Sequence, residues 1–284
     1  MQPKVELSKV RSFSETIDDS ILFFKQNWKP LFRAYLAICG FFWVAGLISS
    51  TFNQFHTFEL RAQGESPFSI TYLISILFAL FSYIAITLTT LSYISLYQQK
   101  DKEAPTVEEV WGYVKFYFLR ITGSFFLLTL LLGLAFVFCF LPGIYLWPVF
   151  SLILTIMILE NTSLNYAFNR AFRLISDNWW HTFGVLFLIS LLIGVTMILA
   201  LIPAAIVATL IVFITGTHGR EVYEVALNIA AHLVQFLHML VLIAGALVYY
   251  SLTEQKEDVT LLDRIKLFGT HTQQPEQPGT NEEY

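Results

Sequence analysis

SFFLLTLLLGLAFVFCFLPGIYLWPVFSLILTIMIL, residues 124–159, is a run of 36 positions without one charged side chain. As a single helix it would be about 54 Å long, at about 1.5 Å per residue. A bilayer's hydrocarbon core is only about 30 Å thick and is crossed by about 20 residues. The run is therefore two crossings, and Leu141-Pro142-Gly143 is the expected turn, because proline lacks an amide donor and glycine tolerates turn geometry.

Other apolar runs lie on either side. Leu31–Phe52, Ile70–Tyr97 and Val225–Tyr250 each suit one crossing. Thr182–Thr215 is too long for one, and Pro203 is expected to end or bend that helix, leaving a short outer segment. Six spans in three hairpins result, so the expected fold class is all-α, a polytopic membrane protein. Composition agrees: 56% of residues are hydrophobic, 13% are charged and mean hydropathy is +0.62, whereas a soluble domain carries about 25% charge. The 27 Phe, 13 Tyr and 6 Trp suit aromatic anchoring at membrane boundaries. Nothing suggests a nucleic-acid surface, and Cys39 and Cys139 sit inside apolar runs as small hydrophobes.

The basic residues fix an orientation. Six precede Tyr35, four lie between Gln98 and Arg120, two between Glu160 and Arg173 and three after Leu252; only Arg61 and Arg220 fall in the alternate connections. By the positive-inside rule both termini are cytoplasmic. The expected organisation is a cytoplasmic segment with an amphipathic helix over 1–29, a six-helix membrane domain over 30–252, and a partly disordered cytoplasmic tail over 253–284. The polar start carries no cleavable signal pattern, so the first span reads as an uncleaved anchor.

Each pair of spans is preceded by a stretch of helical periodicity. Phe13, Ile17, Ile21, Phe24 and Trp28 share one face, as do Val107, Val110, Val114, Phe118 and Ile121, and then Leu164, Ala167, Ala171, Leu174 and Asn178. Ser12 with Glu15, and Thr106 with Glu109, are capping-box pairs, and Ser163 is a third cap position. Asn27-Trp28-Lys29-Pro30 aligns with Asn178-Trp179-Trp180-His181. The reading is a threefold repeat in which an interfacial amphipathic helix introduces each hairpin.

Leu141-Pro142-Gly143-Ile144, Glu160, Ala167, Arg170, Trp179-Trp180 and Phe183-Gly184 carry a family likeness. Over residues 124–200 the chain resembles bacterial six-helix membrane proteins, among them the membrane domain of some glycerophosphoryl diester phosphodiesterases. The resemblance implies six spans with elbow helices. It implies no catalytic residues, since in those proteins the chemistry belongs to a separate soluble domain. Ala171 stands where the likeness leads one to expect a small polar residue.

Chemistry is sparse. Apart from Arg33 at the edge of the first run, the apolar runs hold no Asp, Glu, Lys or Arg, which argues against proton-coupled transport or a carboxylate-lined channel. Glu108-Glu109 invites comparison with intramembrane prenyl-protein proteases, but Tyr113 stands where their motif has Arg. Neither a histidine cluster for a di-iron centre nor a phosphate-cradling glycine loop is found. No catalytic, cofactor or metal residue is expected. One polar stripe stands out: Glu221, Glu224, Asn228, His232 and Gln235 share a helical face of the last span. Glu224, Asn228, His232 and Gln235 are either an outward-opening groove or a set of interhelical hydrogen bonds, the second being preferred. Glu160 and Arg170 form a candidate pair at the membrane boundary. The expected function is a non-catalytic scaffold or assembly subunit of the bacterial inner membrane, in contact with lipids and with a membrane-protein partner or its own copies; the alternative is a transporter or lipid-handling protein using the groove.

Overall fold

Local chemistry sets where the helices start. Ser12 accepts from the Glu15 amide while the Glu15 carboxylate accepts from the Ser12 amide, and Thr106 and Glu109 repeat the exchange. Each pair satisfies amides that a helix N-terminus leaves free. The computed structural model describes residues 3–66, 68–138, 140–216 and 219–270, with only the backbone at 215, 219–221 and 258–270. Its helices are α1 (Phe13–Ala62), α2 (Ile70–Gln99), α3 (Val107–Phe138), α4 (Phe140–Leu159), α5 (Leu164–Ile175), α6 (Trp179–Thr215), α7 (Gly219–Val234) and α8 (His238–Thr270), with a 3-10 turn, Gln235–Leu237, between the last two. No strand occurs among the described residues. Six helical stretches are long and apolar enough to cross a membrane.

Several boundaries differ from expectation. The first two amphipathic stretches are not separate helices: α1 runs through Pro30, and α3 runs from Val107 straight into the apolar run. Proline forfeits one backbone hydrogen bond, yet Thr16, Ser20, Phe23, Asn27, Leu31, Ala34 and Ile38 form one buried seam on both sides of Pro30. Packing overrides the local preference there. Only α5 stands alone. It is followed by a turn at Ser176–Asn178, where Lys256 donates to the Arg173 carbonyl and pairs with Asp177. A cation at a helix C-terminus satisfies carbonyls that the helix cannot.

α3 is described to Phe138 and α4 from Phe140, so Leu141-Pro142-Gly143, the expected turn, lies within α4. Pro142 sits in the first turn of α4, where its missing amide would have had no partner anyway. Pro203 does not end α6, which continues to Thr215 and stops at Gly216, whose φ of 63° is the left-handed conformation that glycine adopts cheaply. The last span is interrupted by the 3-10 turn. At the chain end α8 continues to Thr270, and residues 271–284 of the expected tail lie outside the described residues.

Burial is uneven. Ile84–Tyr97 of α2 is buried at every position, with α1, α3, α4 and α8 packed around it. The buried halves of α1, α3, α4 and α8 meet it at the end of the bundle where residues 3–12 and the α2–α3 and α4–α5 connections lie, here called the basic end. Towards the opposite end, Phe41, Ile48, Phe52, Leu73, Val137, Phe138, Phe213 and Ile214 are exposed. Among the small residues of α2, Ala79 is exposed, while Ser82 donates to the Phe42 carbonyl of α1 at 3.0 Å. Residues 3–12, short of any helix, are part of the core, with Val5 and Leu7 buried.

Candidate functional site

The polar stripe of α7 faces α1. Asn228 donates through Nδ2 to Ser50 Oγ at 2.9 Å and to Thr51 Oγ1 at 3.0 Å. His232 places Nδ1 3.0 Å from the Asn228 carbonyl, and its Nε2 would lie 3.8 Å from a Cβ added to Gly46 of α1. That is an ordinary van der Waals distance, so the imidazole packs against α1 at Gly46 without requiring a glycine there. Trp43 Nε1 donates to the His232 carbonyl at 2.8 Å. That carbonyl lies just before the 3-10 turn, where the regular i to i−4 pattern lapses and an outside donor is needed.

Gln235 does not continue the stripe as one α-helical face. It opens the 3-10 turn, and its Oε1 is buried with no hydrogen-bond partner among the described residues. His238 Nδ1 lies 3.0 Å from the Gln235 carbonyl, and its ring meets Tyr83 edge to face. The Glu221 side chain lies outside the described residues. Glu224 lines a cavity of about 280 Å³ with Asn53, Gln54, Thr57, Arg61 and Tyr72, towards the end opposite the basic one. Gln54 Oε1 is also buried, with no hydrogen-bond partner among the described residues. The stripe thus splits into a cavity at Glu224 and, deeper, hydrogen bonds into α1 at Asn228.

At the basic end Arg170 joins three elements. Its Nε meets Glu160 at the end of α4, and its Nη2 lies 2.8 Å from Glu257 of α8. Tyr249 of α8 donates to the same Glu160 oxygen at 2.7 Å. The side chains of Glu160 and Arg170 are 17% and 16% exposed, and that of Glu257 is 55%. Burial acts to lower the Arg170 pKa, but hydrogen bonds to Glu257 and Glu160 outweigh it and raise the value, so the guanidinium stays charged. Nearby, the Lys256 hydrogen bond and charge hold the Asp177 carboxyl below its ordinary pKa.

A second arginine was not legible beforehand. Arg11, its side chain fully enclosed, donates to Asp19 Oδ2 at 2.8 Å and to the carbonyls of Glu6, Leu7 and Lys9. Its amide donates to Ser251 Oγ at 2.9 Å. No periodicity flags it, because it lies in irregular chain. Tyr249, Glu257, Trp43 and Ser50 were missed as well, since each acts across a distance that only the folded chain closes. Among the described residues no group of three or more His, Cys, Asp or Glu could hold a metal ion. No protein-family model matches this chain, and neither does any curated protein or solved structure.

Proposed function

We propose that this chain is a non-catalytic scaffold or assembly subunit of a bacterial inner membrane, with three hairpins, both termini cytoplasmic, and the basic end at the cytoplasmic face. The observation that carries this reading is where the polar groups are used. Asn228, His232 and Trp43 bond between helices, and Arg11, Arg170 and Lys256 tie the chain segments of the basic end to one another. Such a bundle has a fixed cytoplasmic layer on which a partner can dock, and no aligned set of ionisable groups across the membrane. Exposed Trp28, Trp111, Tyr166, Phe168 and Trp180 near that layer suit the headgroup boundary. The resemblance to bacterial six-helix membrane domains points to the same architecture. The faces of α3 and α5 expected to lie on lipid are largely turned inward at Val110, Val114, Ala167 and Ala171, so these elbows meet the bilayer through their outer aromatics.

Affinity purification of the full chain from its own membranes in mild detergent, after cross-linking in intact cells, tests the scaffold. A defined partner or a stable oligomer of the chain is expected. A chain that is monomeric and alone before and after cross-linking sinks the proposal. The second reading, a transporter or lipid-handling protein, draws on the cavity at Glu224 and the 3-10 turn below it. Flux into liposomes that is abolished by His232→Ala with Asn228→Leu would favour it over the scaffold.

A further inference from the structure

A larger cavity than the one at Glu224 is unrelated to the polar stripe. It occupies about 530 Å³ at the basic end, between Lys4, residues 22–30 of α1, the end of α2 and the α2–α3 connection. Three of its lining residues are Lys4, Lys25 and Lys102, and among the described residues no Asp or Glu lines it. Asn27 and Tyr97 add polar groups; Leu22, Pro30 and Ala104 add an apolar wall.

The arrangement is held in place. Gln26 accepts from the Val5 amide at 3.2 Å and donates to the Pro3 carbonyl at 2.8 Å, which clamps residues 3–5 along α1. The Lys4 ammonium donates to the Lys102 carbonyl at 2.7 Å, drawing two of the lysine residues together. Lys102 itself has φ 68°, an uncommon conformation for a side-chain-bearing residue, and is kept there by its amide bonding to the Tyr97 carbonyl at 2.9 Å. Among the described residues none of the three lysines has a carboxylate within ion-pair distance. Three lysines line one cavity with no carboxylate in ion-pair reach among the described residues, so an anion seated there meets unopposed positive charge.

We propose that this cavity binds a phosphate group, with the Lys4, Lys25 and Lys102 ammoniums as its donors and Leu22 and Pro30 as the wall for what the phosphate carries. Lysine is a point-charge phosphate binder and needs no planar bidentate geometry. The phosphate comes from an anionic glycerophospholipid headgroup or from free phosphate. On α1 the lining runs from Leu22 to Pro30, one to nine residues short of Leu31 where the first apolar run begins, which brings the site to the headgroup layer just outside the hydrocarbon. This proposal is independent of the scaffold reading.

Full-length protein in neutral detergent is titrated with phosphatidylglycerol, phosphatidylcholine or inorganic phosphate, and thermal stability is read. Tighter binding of phosphatidylglycerol than of phosphatidylcholine, unaffected by inorganic phosphate, identifies a lipid headgroup. Stabilisation and competition by inorganic phosphate identify the free anion. A lysine close to an anionic headgroup strengthens binding by a factor of about five. In either case, therefore, Lys25→Gln weakens apparent affinity about fivefold, and Lys25→Gln with Lys102→Gln about 25-fold. Lys29→Gln with Arg33→Gln, exposed at the same end but outside the cavity, leaves affinity within about twofold. Equal loss in that control pair overturns the site in favour of a diffuse basic surface, and so does a wild-type protein indifferent to all three ligands.

Discussion

Replacing Arg170 by methionine isolates the interaction that ties α5 to α4 and α8. Arg170→Met keeps the length and apolar stem of the side chain but removes the cation from between Glu160 and Glu257. Glu257 is 55% exposed and regains water, so it contributes little to the loss. Glu160, 17% exposed, keeps only the Tyr249 hydroxyl as a donor. Breaking one side of a buried pair costs about 3–5 kcal/mol; since both partners retain some exposure, about 3 kcal/mol is expected. The charge left on Glu160 causes most of this. Arg170→Met with Glu160→Gln is therefore expected to lie within about 1 kcal/mol of the native chain. Reversible unfolding in mixed micelles, followed by helical circular dichroism, gives both values. The reasoning fails if the single variant loses less than about 0.5 kcal/mol, which is the level of a solvated surface pair. It fails equally if the double variant is no better than the single one, because packing around the stem would then be the cause.

Three further outcomes are expected. Trp43→Phe removes the indole donor from the His232 carbonyl and should cost about 1 kcal/mol, with faster amide exchange confined to residues 235–238; unchanged exchange there would mean the carbonyl has another donor. Asp177 has its pKa lowered in the folded chain from an ordinary 3.8 by Lys256, so its contribution is fully present above that value and lost as pH falls through the lower folded one. Asp177→Asn should accordingly loosen the α5–α6 turn at pH 7, judged by proteolysis, and make no difference near the acid end of the titration; a pH-independent effect would refute the ion pair. With Cys39 and Cys139 replaced by Ala, Glu103→Cys should be shielded from an impermeant thiol reagent in intact cells and Glu65→Cys should be labelled, the reverse pattern overturning the orientation.

Hydropathy made legible the six helices long and apolar enough to cross a membrane, because about 20 apolar residues in a row have few other uses. The two capping boxes were legible for an equally local reason: both partners lie within one turn. Prolines misled. Pro30, Pro142 and Pro203 each signal a break by local rules, yet Pro30 and Pro203 lie inside continuous helices and Pro142 sits in the first turn of α4. Pro30 and Pro203 cost one hydrogen bond each, while Pro142 in a first turn costs none, and packing that is invisible in a single segment decides whether the cost is borne. The candidate residues divide in the same way. Asn228 and His232 stand out as polar positions in an apolar run, but their partners Ser50, Thr51 and Trp43 are ordinary residues some 180 positions away.

The unequal burial has a consequence for how the chain holds together in a bilayer. Lipid tails are as apolar as leucine, so apolar contact alone gives little drive for helices to associate there. What distinguishes the two ends is polar bonding. At the basic end Tyr93 donates to Asn27 at 2.9 Å beneath the packed α2 seam, and Arg11, Arg170 and Lys256 close the layer above it. Towards the other end, the described bonds between sequence-distant segments include those from Asn228 to α1, Trp43 to His232 and Thr71 to Asn53. Stability should therefore be graded along the membrane normal, highest around Ile84–Tyr97 and lowest in α6 beyond Pro203 and in the first turns of α2. A rigid layer at the basic end beside a looser opposite half is what the proposed docking platform needs. It also places any moving part of a transporter at α6, α7 and the 3-10 turn, so a gradient that ran the other way would count against both readings at once.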